Sequence, residues 1–249
     1  MGGGRRLSGA FDNWPNVLAS IAQRGYVVAA VSYRFSGEAP SPAAIQDVKA
    51  SIRWLRANAA TYRIDKARFA AFGGSAGGQL AALAATSCGA AALSPAAEGT
   101  QHIATVEKQT AGDVAPDRQN DCLQAAVTWY GVFDFTTMPL RGSEKAYLGC
   151  GNQACTAEQQ RQASAVTYLS DKTPPMLMIA GSVDQLVPPA QSIDFARAMR
   201  NKGLKGDLII IPGVDHSFIG KTAEATQAAS RLALAKTVDF LDTTIGDRK

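Results

Sequence analysis

The sequence predicts an α/β chain built on a mostly parallel, doubly wound sheet with helices on both faces. Short, predominantly apolar runs recur at 26–31, 68–72, 125–130, 176–181 and 208–212, as expected of strands covered on both sides. Segments with helical apolar spacing lie between several of them, and strands alternating with helices imply parallel pairing through crossovers.

Asp12-Asn13-Trp14-Pro15 supplies a cap and an early proline for a first helix, with Val17, Leu18 and Ile21 on its apolar face and Gly25 at its end. The run 26–31 follows as a strand. Ser41-Pro42 opens a second helix carrying a core stripe of Ile45, Val48, Ile52 and Leu55. The strand 68–72 runs into a glycine-rich turn and an alanine-rich helix over 79–85. Strands at 125–130, 176–181 and 208–212 come next, with helices expected over 194–200 and 223–241, the last closing over the sheet. With 249 residues and 46% hydrophobic content, one domain over 1–249 can bury a sizeable core. Residues 132–171 leave a strand and return only before Pro174, long enough to form a cap over one sheet edge.

The turn Gly73-Gly74-Ser75-Ala76-Gly77 puts a lone serine between a strand and a helix, the layout of a nucleophile elbow. A side chain at either flanking glycine is expected to collide with its neighbours. The following helix aims its N-terminal N–H groups at the serine, so Ala76 is a candidate oxyanion donor. The chain has two histidines. Ser75 and His216 both follow strands and so share one sheet edge, whereas His102 follows a helix and falls at the other. Asp184, just after the strand 176–181, stands at the same edge as Ser75 and His216. It is preferred as third member over Asp215, whose side chain should diverge from its neighbour's, and over Asp134. The order Ser75, Asp184, His216 is that of the α/β-hydrolases.

Five blocks, 72–81, 127–135, 173–176, 184–189 and 212–218, together resemble the α/β-hydrolase esterases, most closely the bacterial feruloyl-esterase-like and hormone-sensitive-lipase-like branch. The resemblance spans nearly the whole chain and implies a serine carboxylic-ester hydrolase that needs no cofactor or metal and acts on small or aryl esters of acetyl or feruloyl type. Such enzymes usually carry His-Gly-Gly-Gly after a central strand. This chain opens Met1-Gly2-Gly3-Gly4, without the histidine and the preceding strands. By analogy Gly3 and Gly4 donate to the oxyanion with Ala76, and the fold is expected to lack its first strands, as an N-terminally truncated member would. A glycine-rich scar unrelated to catalysis is the competing explanation of that opening.

Trp129, Tyr130, Phe133 and Phe135 are candidates to stack on an aromatic acyl group, with Phe11, Trp14, Leu186 and Phe218 facing them; aromatics at strand ends also serve as plain core. Of these, Trp14, Tyr130, Phe133, Leu186 and Phe218 form the expected substrate surface. The spacing of Cys150 and Cys155 suggests a small looped bridge, leaving Cys88 with Cys122, and paired cysteines imply a secreted or periplasmic protein. No signal peptide is visible. The net charge of +4 is spread thinly, with Arg5-Arg6 the only adjacent basic pair, which disfavours nucleic acid as a partner. No run approaches membrane-spanning length, and the oligomeric state is not legible. Two other readings share the same residues: a prolyl-oligopeptidase-like serine peptidase, and a catalytically impaired binding module that keeps the triad as a relic.

Overall fold

A computed structural model of the chain describes residues 14–95 and 120–246. Four strands, β1 (Ala70–Gly74), β2 (Ala125–Trp129), β3 (Met176–Gly181) and β4 (Gly206–Ile211), form one sheet in the order β1-β2-β3-β4, every pair parallel. Among the described residues, seven α-helices accompany them: α1 (Trp14–Ala22), α2 (Ala43–Ala57), α3 (Ala76–Thr86), α4 (Gly142–Leu148), α5 (Ala157–Gln162), α6 (Ala190–Asn201) and α7 (Ala223–Thr244).

Alternation along the strands divides the core into two layers. Ala126, Met176 and Met178 face Ile45 and Ile52 of α2, Leu80 and Leu83 of α3, and Phe195 and Met199 of α6. Ala125, Val127, Trp129, Leu177 and Ile179 face the other way, onto Ala229, Ala233 and Leu241 of α7, with Val17 of α1 packed beside them. Helices thus cover both faces, as the apolar runs require. Residues of 132–171 belong to the first layer: Phe133, Phe135, Tyr147, Leu148 and Leu169 are all buried in it.

The structure corrects one expected strand. Residues 26–31 adopt no strand conformation, none of the four strands pairs with them, and Val27 and Val31 are exposed. An apolar run becomes a strand only where a neighbour completes its ladder of hydrogen bonds, and no described element does so here. The segment is held from its ends, by the Tyr26 hydroxyl donating to Asp242 Oδ1 (2.8 Å) and by a two-pronged Arg34–Asp47 ion pair. Helix α6 also begins at Ala190, four residues before the expected start, because Pro188-Pro189 presets its first turn.

Both expected cysteine pairs are disulfides, Cys88–Cys122 and Cys150–Cys155. Beside the first, three cations of α2 converge on the chain entering β2. Lys49 Nζ, fully buried, donates to Ser87 O (2.5 Å) and lies 3.4 Å from Asp121 Oδ1; Arg53 pairs with Asp121 Oδ2 at 2.7 Å; Arg56 donates to Asn120 O and Cys122 O. Spacings of four and three residues put all three on one helix face.

Candidate active site

Ser75 sits at the C-terminal end of β1, between the strand and α3, with φ 54° and ψ −117°. Positive φ at a non-glycine residue is strained and persists only where the surroundings impose it. Here the Ser75 N–H donates to Trp129 O at 2.9 Å and the Gln79 N–H to Ser75 O at 3.0 Å, pinning the turn to β2 and to the first turn of α3. A Cβ on Gly73 would run into the Gly77 backbone. The second indispensable glycine is not Gly77, as the sequence suggests, since a Cβ there meets nothing among the described residues. It is Gly78, where a Cβ would come within 2.9 Å of Trp129 O, with Gly131 facing it just as closely. Helix α3 lies against β2 backbone to backbone, and that approach sets the angle of the turn.

The loops after β3 and β4 arrive at the same sheet edge. Gly181 lets them meet, because a Cβ there would strike Val214 O. The Ser182 N–H donates to Ile211 O (2.9 Å), the Val183 N–H to Val214 O (3.2 Å), and the Gly213 N–H to the Ser182 hydroxyl (2.9 Å). Asp184 is 4% exposed. Its Oδ1 accepts from the Leu186 and Val187 N–H groups at 2.9 and 2.8 Å, and its Oδ2 lies 2.9 Å from His216 Nδ1. His216 Nε2 is 3.0 Å from Ser75 Oγ. A carboxylate can only accept, so the ring donates from Nδ1, and Nε2 is left to accept the serine proton. The structure therefore brings Ser75, Asp184 and His216 into one hydrogen-bonded chain. The rivals stand apart from the ring: Asp134 Oδ1 accepts from Thr136 N and its hydroxyl, and Asp215 Oδ1 accepts from the N–H groups of Gln185 and His216.

Ala76 opens α3, so its N–H is one of the first-turn donors that an α-helix leaves unused. Gly3, Gly4, Phe11 and His102 lie outside the described residues, and Trp14 is placed only as the first residue of α1. Leu186 is 43% exposed beside Asp184. Tyr130 is buried, at φ 41°, its ring edge-on to His216 at 4.8 Å, and burial pushes its pKa up to about 12.

The other expected acyl-stacking residues turn out to be core. Phe133 and Phe218 are each 1% exposed. Phe133 stacks on Phe195 at 4.5 Å, and Phe218 packs edge-on against Trp129 and Tyr130. Trp129 and Phe135 are likewise buried. Phe133 and Phe135 lie in the core layer on the α2, α3 and α6 side of the sheet, and Phe218 in the layer on the α7 side. Arg141, to which the sequence drew no attention, donates through its guanidinium to Leu186 O (2.9 Å) and Gln185 O (3.0 Å), tying the start of α4 to the acid loop. An arginine in a loop carries no pattern that separates it from any solvated cation.

The model of the BD-FAE family matches residues 5–199. Esterase LipQ of Mycobacterium tuberculosis H37Rv is 29% identical over 99% of this chain and 55% of its own length. Probable carboxylic ester hydrolase LipM of the same organism is 32% identical over 81% of this chain and 44% of its own. A solved structure, the truncated form of a carbohydrate esterase from gut microbiota, superposes with a TM-score of 0.68 at 26% identity, over 88% of this chain and 74% of that one. The chain thus spans about half the length of the curated relatives it matches. With the parallel sheet, the turn at Ser75 and these similarities in hand, the chain belongs to the BD-FAE family and has the α/β-hydrolase fold.

Proposed function

We propose that this chain is a serine carboxylic-ester hydrolase in which Ser75 is the nucleophile, His216 the general base and acid, and Asp184 the residue that orients the imidazole. The observation that carries this reading is the continuous chain from Ser75 Oγ through His216 to Asp184. Attack of the hydroxyl oxygen on the ester carbonyl carbon transfers the serine proton to His216 Nε2. That proton is then given to the departing alcohol as the C–O bond breaks, leaving an acyl-enzyme. Water, deprotonated by the same nitrogen, attacks the acyl carbon; the acid leaves and Ser75 regains its proton. Asp184, held by two backbone N–H groups, fixes the tautomer and balances the imidazolium formed in each half-reaction. The Ala76 N–H at the positive end of α3 supports the oxyanion, and Gly3 and Gly4 are its proposed partners.

The proposed substrate is a small or aryl ester, of the acetyl or feruloyl type carried by plant polysaccharides; similarity to the gut carbohydrate esterase supports it. Leu186 offers apolar surface beside the triad, and the 132–171 segment, anchored through Arg141, is the proposed cap. Two disulfides support a secreted or periplasmic location. The test is turnover of p-nitrophenyl acetate by the wild type and by Ser75→Ala, alongside labelling by a fluorophosphonate. Loss of the nucleophile is expected to lower kcat by roughly 10⁴-fold or more and to abolish labelling; equal rates would refute the assignment.

A further inference from the structure

Asp184 and His216 are each followed or preceded by a residue that makes a second connection between their loops, in the opposite sense. The Asp184 carboxylate reaches across to the His216 ring. The Asp215 carboxylate reaches back: its Oδ1 accepts from the Gln185 N–H at 2.8 Å and from the His216 N–H at 2.7 Å. One oxygen thus spans the backbone of the residue after the acid and the backbone of the histidine itself. The Asp215 N–H closes the loop from the other side by donating to Ile219 O at 2.8 Å.

The histidine loop needs such a tie. Ser217 and Phe218 follow His216 at φ 59° and 58°, two consecutive non-glycine residues in the left-handed region. Backbone of this kind is uphill by itself and holds only where other contacts over-determine it. Phe218 is locked into the aromatic cluster of Trp129 and Tyr130, and Asp215 caps the start of the turn. Among these contacts, the Asp215 bond to Gln185 runs directly to the loop of the catalytic acid.

We infer that Asp215 is a positioning residue which, through one carboxylate oxygen, sets the separation of the acid and histidine loops and so the Asp184–His216–Ser75 alignment; this rests on the hydrolase reading above. The two backbone donors, Gln185 first and His216 second, also hold its carboxyl below the usual carboxylate range, so the acceptor is ionised throughout the working range of an esterase.

The function belongs to the oxygen as an acceptor, and this separates it from the charge. Asp215→Asn keeps an oxygen able to accept from both N–H groups, whereas Asp215→Ala removes it. Asp215→Ser leaves a cap oxygen for the turn but lacks the reach to Gln185, and serves if the alanine variant does not fold. Displacements below an ångström at a catalytic base are enough to slow chemistry, so Ala and Ser are expected to lower kcat on p-nitrophenyl acetate by about 10- to 100-fold with KM within about threefold. Asn should stay within about threefold of the wild type. The downfield proton resonance of His216 Nδ1–H should be retained in Asn and broadened or lost in Ala and Ser. Wild-type kcat and resonance in Ala and Ser would overturn the inference, and so would equal losses in Asn and Ala. The resonance comparison stands even if the wild type fails to turn over esters or to react with a fluorophosphonate, an outcome that would refute the hydrolase reading instead.

Discussion

Ser75 Oγ lies 3.0 Å from His216 Nε2, although 141 residues separate them in the chain. A parallel sheet makes that closeness routine. Every strand ends at the same edge, so a residue just after β1 and another just after β4 are separated only by the width of the strands between them. The loops then lean inward, and the Gly181 approach to Val214 shows how tightly they are packed.

Asp184 accepts from two backbone N–H groups as well as from the ring, so replacing it by Asn should leave the fold intact. The amide can, however, present an N–H to the imidazole and favour the wrong tautomer. Asp184→Asn is expected to lower kcat for p-nitrophenyl acetate by about 10³- to 10⁴-fold with little change in melting temperature, measured by steady-state kinetics and thermal unfolding together.

The glycines around the elbow divide into two kinds. Gly73→Ala and Gly78→Ala each force a methyl into backbone and should destabilise by about 1–3 kcal/mol or more, with loss of activity as α3 shifts. Gly77→Ala adds its methyl to open space among the described residues and should leave the denaturation midpoint nearly unchanged. Chemical denaturation of the three variants checks the contrast.

Asp121 is a buried acceptor for both Lys49 and Arg53. Burial alone would raise its carboxyl pKa, but Lys49 and Arg53 outweigh that and hold it below the usual range. Removing it strands the buried Lys49 charge, so Asp121→Ala should cost about 3–5 kcal/mol. Adding Lys49→Met to that variant should recover part of the loss, which a double-mutant cycle by urea unfolding would measure.

Burial pushes the phenols of Tyr130 and Tyr147 up to about 12. In the unfolded chain a tyrosine ionises near 10. The folded state therefore favours the protonated form, and this contribution is full below about pH 10 and is lost as pH climbs toward 12. Stability measured between those values should fall, and absorbance titration of the folded protein should show these two phenols ionising later than tyrosines of the unfolded chain.

The Ser75, Asp184 and His216 positions were legible from local patterns alone: an apolar run, a sharp turn, a polar residue just past the end of a strand. So were β2, β3 and both disulfides, because buried parallel strands and closely spaced cysteines leave local signatures. The run 26–31 is as apolar as β3 yet forms no strand, since strand formation depends on a neighbour as well as on the residues themselves.

What the primary structure determined about this protein, then, is which side chains carry reactive groups and at which strand ends they stand. The tertiary structure decided the rest: that Phe133 and Phe218 are buried in the core layers, that Gly78 and not Gly77 must lack a side chain, and that Asp215 and Arg141 bond to the acid loop. Those are distances between segments remote in the chain, and only packing in three dimensions fixes them.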